Sequence, residues 1–384
     1  MDWAFYFSFF CAIHLDLIAL LLWMVSSKNR SNLYLAVFIF LFSSIHWQNA
    51  ILLGGYIGEF PYIDPLCGIL LSLCGPFFLF YIRSITATKV FSSPADLFHL
   101  APSLISVLHF LRTLGWTREE FYNFYYAAQN RYTPENKFML FLMIGYFLLY
   151  LVWGLYLIRN YSDKIQQFAS NLDKIQLNWL KYTLYIFIFL AVVLAPLFLL
   201  IGKINYMVVA MMYFTTFLYL WIVYRSMNHS PLFINEMASM LQSSKEKSGE
   251  KEEITEPSRY QNSSLNAEKL QAYYQPLEQY LVTQKPYLNP ELSLKMLSDQ
   301  TGIPPHYISR VVNEFYQKSF FDQINFLRVE EFKQKLKDPA NKRFSLEGLA
   351  FECGFGSKAS FQRAFLKNMG ITPSEYRKSL QPIC

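Results

Sequence analysis

Apolar residues follow two regimes along this chain. Up to about residue 225 they come in long blocks, roughly Trp3 to Val25, Leu33 to Gly54, Tyr62 to Ile82, Leu97 to Leu114, Phe138 to Ile158, Leu180 to Gly202 and Tyr206 to Tyr224. Blocks of this kind approach the ~20 apolar residues that a helix needs to cross a bilayer core. Beyond residue 225 the blocks stop. Apolar residues then recur at spacings of three and four among charges, as in amphipathic helices of a water-soluble domain. The first block has no basic leader and runs straight into SSKNR, so it reads as a retained helix and not a cleaved signal. The fourth block is the weakest, since it carries His99, Pro102 and His109.

Composition sharpens this division. Charged residues make up 16% of the chain and hydrophobic ones 53%, where soluble domains hold about 25% charged residues. The deficit lies almost wholly before residue 225. Lys and Arg fall in the first, third and fifth loops (Lys28, Arg30; Arg83, Lys89; Arg159, Lys164, Lys174, Lys181), while the second has none. The fourth mixes signs. By the positive-inside bias, odd loops face the cytoplasm, the N-terminus lies outside and the C-terminus inside. Cys11, Cys67, Cys74, Cys353 and Cys384 show no CxxC pairing and no His at metal-ligand spacing, so neither a disulfide scaffold nor a metal site is expected.

His14 and Asp16 sit within the first block, and ionisable residues inside a membrane often mark sites. They are candidates for an intramembrane sensing site, with interhelical hydrogen bonding as the alternative. The blocks carry no HExxH, no repeated charged pair and no inverted repeat, so no catalytic constellation and no cofactor are expected there.

After the blocks, 226–264 reads as a cytoplasmic linker. Its stretch QSSKEKSGEKEEITEPSRYQNSS holds too few apolar residues for a core, so a flexible tether is expected. An amphipathic connecting helix is predicted over 265–284, with Leu270, Tyr273, Tyr274, Leu277 and Leu281 on one face. That stripe could pair two chains or dock on the domain that follows.

Over 285–384 the spacing predicts two helix-turn-helix units. Ser298 precedes Gly302 and Ile303 in the first; Ala350 precedes Gly354 and Phe355 in the second. The small residue permits close helix approach, and glycine permits the positive φ of the turn. In the second helices, Ile308, Val311, Val312 and Phe315, then Phe361, Ala364 and Phe365, form inward faces. Outward lie His306, Ser309, Arg310 and Asn313, then Lys358, Ala359, Gln362 and Arg363. Arg can read guanine and Gln adenine in the major groove, while Lys can serve phosphates. Between the units, Phe320, Ile324, Leu327 and Leu336 mark a connecting helix. Thr372, Pro373 and Glu375 mark a capping box. From Lys285 onward, 15 Lys and Arg stand against 10 Asp and Glu, an excess suited to a phosphate surface. GFGSKA at 354–359 mimics a dinucleotide fingerprint, but no strand is predicted before it and too little chain follows for a βαβ unit.

The segments KPYLNPELSLKMLSDQTGI, HYISRVVNEF, INFLRVEEFKQKL, SLEGLAFECGFGSKASFQRAF and GITPSEYRK, over about 285–380, resemble the AraC family of transcription regulators. The resemblance implies two recognition helices entering successive major grooves on one DNA face. Base-reading positions then fall on His306, Ser309, Arg310, Ala359, Gln362 and Arg363, with Lys358 adjacent. Ala359 departs from the polar residue some members carry there, and Gly348 departs within the fifth helix of the domain.

The sequence therefore predicts an all-α protein. A polytopic membrane bundle of about seven transmembrane helices spans 1–225, and a soluble tandem helix-turn-helix domain spans 285–384. The expected role is a non-enzymatic, membrane-bound one-component transcription regulator of the bacterial cytoplasmic (inner) membrane. The alternative is a membrane receptor or transport protein whose tail recruits partners. Expected partners are double-stranded DNA, the lipid bilayer, an unknown small-molecule or membrane signal, a second copy of the chain and RNA polymerase.

Overall fold

A computed structural model describes residues 2–27, 30–56, 59–60, 62–86, 90, 93–117, 119–120, 134–172, 176–194, 204–227, 258–341 and 343–380. The chain forms two units. One holds Met1–Asn160 and Leu177–Ile234, the other Tyr161–Gln176 and Asn235–Cys384. Both are helical, and no strand occurs among the described residues.

In the first unit α1 (Asp2–Met24) packs along α2 (Arg30–Leu53), and α2 packs against α3 (Ile63–Ser72) and α4 (Cys74–Thr86). α5 (Ala101–Thr113) lies on α3, and α6 (Pro134–Ile165) follows. α7 (Asn178–Phe189) and α2 both contact α8 (Ile204–Met227). Five stretches are long and apolar enough to cross a membrane: Trp3–Met24, Arg30–Leu53, Pro65–Thr86, Pro94–Thr113 and Leu142–Ile165. Their outer faces expose large apolar side chains such as Phe10, Trp23, Leu108 and Leu149. Water would penalise such a surface, whereas lipid would not.

Several of the expected runs differ in detail. The third breaks at Leu73, between α3 and α4. Pro76 explains the break, because it lacks an N–H and its ring crowds the carbonyl four residues back, that of Ser72. The fourth begins as a 3-10 helix, Pro94–Leu100, closed by a Ser93–Asp96 capping box. The sixth keeps a regular helix only to Phe189, then loosens into a π turn, Leu190–Leu194, and its remainder lies outside the described residues. So do Lys28, Lys89 and Lys174 of the topology argument and most of the 226–264 linker.

In the second unit the helix expected over 265–284 runs as α9, Ser258–Gln284. Then come α10 (Leu294–Thr301), α11 (Pro305–Tyr316), α12 (Phe320–Lys337), α13 (Leu346–Phe351), α14 (Lys358–Met369) and α15 (Pro373–Ser379). Their apolar faces build two cores. The first gathers Leu270, Leu277 and Leu281 of α9 with Leu294, Leu297, Ile308, Val311, Val312, Phe320 and Ile324. The second gathers Val329, Phe332, Leu349, Ala350, Cys353, Phe355, Phe361, Ala364 and Phe365. The connecting helix α12 thus gives its first half to one core and its second half to the other. The Leu270–Leu281 stripe is interior, so it is not free to pair two chains. Tyr273 and Tyr274 complete its docking against Tyr307 and Phe315, with ring centroids 5.1 and 4.4 Å apart.

Candidate nucleic-acid interface

Each helix-turn-helix unit is fixed by local chemistry. In the first, the Ser293 hydroxyl accepts the Met296 N–H and starts α10. Gly302, at φ 70°, ends it while donating to the Ser298 carbonyl at 2.8 Å. The chain reverses, Ile303 plugs the core, and Pro304 and Pro305 open α11 where no N–H partner is needed. In the second unit Ser345 caps α13, and Gly354 turns at φ 88°. A side chain at Gly354 would strike the Tyr287 carbonyl, so the glycine is required twice, for its φ and for close approach. Ser357 then caps α14. A helix, not a strand, precedes GFGSKA, and its glycines serve this turn.

The burial pattern orients both second helices. Ile308, Val311 and Val312 of α11, and Phe361, Ala364 and Phe365 of α14, point inward. Phe315 was expected inward as well, but it is 38% exposed and shielded on one face by Tyr274. Arg310, Asn313, Lys358, Ala359, Gln362 and Arg363 are exposed, and His306 and Ser309 are half-buried. His306 leans on Tyr307 with ring centroids 4.2 Å apart. Of the seven expected contact positions, Arg310, Lys358, Ala359, Gln362 and Arg363 are thus exposed on α11 and α14, while His306 and Ser309 are partly covered.

The charges there are lightly held. Arg310 pairs with Glu314 one turn along its own helix at 3.1 Å, and Lys358 lies 3.4 Å from Glu347. Exposed pairs of this kind contribute at most about 1 kcal/mol, so both cations can exchange their partners for nucleic acid. Lys367, 2.7 Å from Asp322 of α12, instead bridges the second unit to the connecting helix.

One residue at the centre escaped the sequence reading. Arg328 of α12 is 1% exposed, between the two cores. Its guanidinium donates to the carbonyls of Tyr287 at 2.7 Å, Asn289 at 2.8 Å and Ser170 at 3.1 Å, and to the Ser170 hydroxyl at 3.0 Å. Burial pushes its pKa down to about 10, so it stays charged near neutrality. Nearby, Glu331 binds Lys285 at 2.8 Å. Burial, and then the Glu331 carboxylate, push the Tyr287 phenol up to about 12. The available signal was a cation at i+4 from Ile324, on a stripe otherwise apolar.

In the first unit, the candidates His14 and Asp16 are not brought together. Asp16 accepts from the Ser43 hydroxyl and, at 2.9 Å, from the Trp47 indole N–H, both on α2. His14 is exposed, and its Nδ1–H donates to the Phe10 carbonyl at 2.9 Å. The pattern around Asp16 is the interhelical hydrogen bonding named as the alternative. A polar cluster not anticipated lies elsewhere. Arg83 is 2.6 Å from Asp96, His99 is 3.7 Å from the same carboxylate, and His99 Nδ1 is 3.1 Å from the Tyr150 hydroxyl.

Residues 297–379 match the family described as a helix-turn-helix domain. An HTH-type transcriptional regulator of Mycobacterium tuberculosis is 24% identical over 83 residues, which are 22% of this chain. The chain spans about a third (31%) of that relative's length. No solved structure matches. With tandem turns, a shared connecting helix and this match, residues 297–379 are a helix-turn-helix domain of the AraC type.

Proposed function

We propose that the chain is a membrane-bound transcription regulator whose two helix-turn-helix units read specific DNA in response to a signal received in the apolar half. The observation that carries this reading is the matched exposure of α11 and α14. Each stands behind a glycine turn, and each presents an Arg, Arg310 or Arg363, on its outer face. Recognition helices present base-reading side chains in this way. Arg310, Gln362 and Arg363 read base edges, Lys358 holds phosphate, and His306, Ser309 and Ala359 line the approach. The apolar helices lie in the cytoplasmic membrane with the tail inside, where the chromosome and RNA polymerase are. The Mycobacterium tuberculosis relative, a transcriptional regulator by its description, supports the same reading.

The test uses the full chain in lipid nanodiscs, titrated with genomic DNA fragments against bulk competitor. Enrichment of particular fragments, abolished by Arg310→Ala with Arg363→Ala, is the expected result. A chain that prefers no fragment over bulk DNA would overturn the reading and favour a tail that recruits protein.

A further inference from the structure

The DNA-binding unit is not built from the C-terminal residues alone. Residues 166–172, in the connection between α6 and α7, lie along it. Ala169 and Ser293 form an antiparallel bridge. It is framed by Ser170 N–H donating to the Leu292 carbonyl at 3.2 Å and Leu294 N–H donating to the Phe168 carbonyl at 2.9 Å. The Phe321 N–H, unpaired within the first turn of α12, donates to the Gln166 carbonyl at 2.9 Å. Phe168 packs on the first core, and Ala169, Ser170 and Leu172 are buried. Ser170 supplies two of the acceptors of Arg328. Asn171 lies so close to Gly356 that a side chain there would have no room.

We infer that this segment is a strap by which the apolar half holds the DNA-binding unit and withholds it from DNA, an inference that rests on the regulator reading above. Three observations point this way. First, the strap satisfies main-chain groups and a buried guanidinium, which is specific docking and not incidental contact. Second, only residues 166–177 separate α6 from α7. The strap begins at the residue directly after the end of α6, so a shift of that helix reaches it at once. Third, Asn171 sits at the residue before Ser357, the cap of α14. Recognition helices approach the groove by their N-terminal residues, so docked strap and bound DNA compete for the same entrance.

The bridge supplies the test. Ala169 and Ser293 are a pair whose flanking residues exchange the hydrogen bonds, the geometry with the closer side chains. Full chain carrying Ala169→Cys with Ser293→Cys is placed in nanodiscs and titrated with an enriched genomic fragment, oxidised and then reduced, beside each single variant. The oxidised form is expected to lose specific binding, and reductant to restore it. In parallel, Phe168→Asp should speed amide exchange at Leu294 and Phe321 while the α14 amides stay protected. It should also lower the apparent Kd about tenfold if roughly a tenth of the wild-type chain is undocked. Equal DNA binding by the locked and reduced forms would overturn the inference. So would unchanged exchange at Leu294 in the Phe168 variant, or faster exchange with no gain in affinity. If no form prefers any fragment while Leu294 and Phe321 remain protected, the strap is docked but the DNA reading fails. In that case the withholding role falls with it.

Discussion

The two helix-turn-helix units share a design but are supported differently. The first rests on α9, on the Phe168 strap and on the first half of α12. The second closes its core with its own helices, the second half of α12 and Tyr376 of α15. One unit is thus buttressed by chain from far away in sequence, and the other is nearly self-sufficient. Arg328 sits at the junction: its guanidinium donates to the Tyr287 and Asn289 carbonyls ahead of the first unit and lies 5.9 Å from the Phe355 ring of the second core. The lesson is that a change reaching the strap acts on the first unit through its core, at Phe168, and on the second only at its turn, at Gly356.

Truncation should separate the cores. Phe332, fully buried, meets Phe361 at 4.7 Å and Phe365 at 5.6 Å. Phe332→Ala should cost about 3–5 kcal/mol, seen in hydrogen exchange as lost protection over α13 and α14 while α10 and α11 hold longer. Equal loss in both units would show that they unfold as one. Arg328→Leu removes the donors for several buried carbonyls and should cost roughly 3 kcal/mol, since each orphaned acceptor carries about 1–3. Here the loss should spread to both units, because the residue joins them.

Function sharpens the comparison next. Arg310→Ala and Arg363→Ala should each cost roughly 1–3 kcal/mol of specific binding with little change on random DNA. Each should relax preference at a different half of the site, read by selection from a randomised library. Loss of equal size on random DNA would make them phosphate contacts. Lys367→Ala should change affinity little and reduce stability by less than about 1 kcal/mol, through loss of the exposed Asp322 pair.

A local effect of similar size is at the N-cap of the last helix. Thr372 donates its N–H and hydroxyl to the Glu375 carboxylate at 2.7 and 2.8 Å, which holds that carboxyl below its ordinary range. A folded-state pKa below the unfolded one gives stability that is complete above the ordinary carboxylate range. It is lost as pH falls through the folded value. Thr372→Ala should flatten this acid-side dependence for α15 and cost about 1 kcal/mol of helix stability near neutrality, read from amide exchange across that helix.

Periodicity and turn chemistry wrote much of the molecule into its sequence. The apolar blocks, the glycine turns at Gly302 and Gly354, the inward faces of α11 and α14, and the Thr372–Glu375 box are local patterns. Each depends on residues a few positions apart, so each is legible without the fold. The break at Leu73 was also written locally, in Pro76, although hydropathy alone runs straight through it. What the sequence left open was which surfaces meet. The Leu270–Leu281 stripe suits a partner chain or an internal core equally, and only packing against α11 chose the core. Phe315 follows the inward period of α11, yet its helix end leaves it partly exposed. Arg328 and the strap are the extreme case. Ser170 and Arg328 stand 158 positions apart, and no local pattern relates them. Hydrogen bonds between distant main-chain groups carry no side-chain signature, so only the tertiary structure could decide that a connection between two apolar helices helps to build the DNA-binding unit.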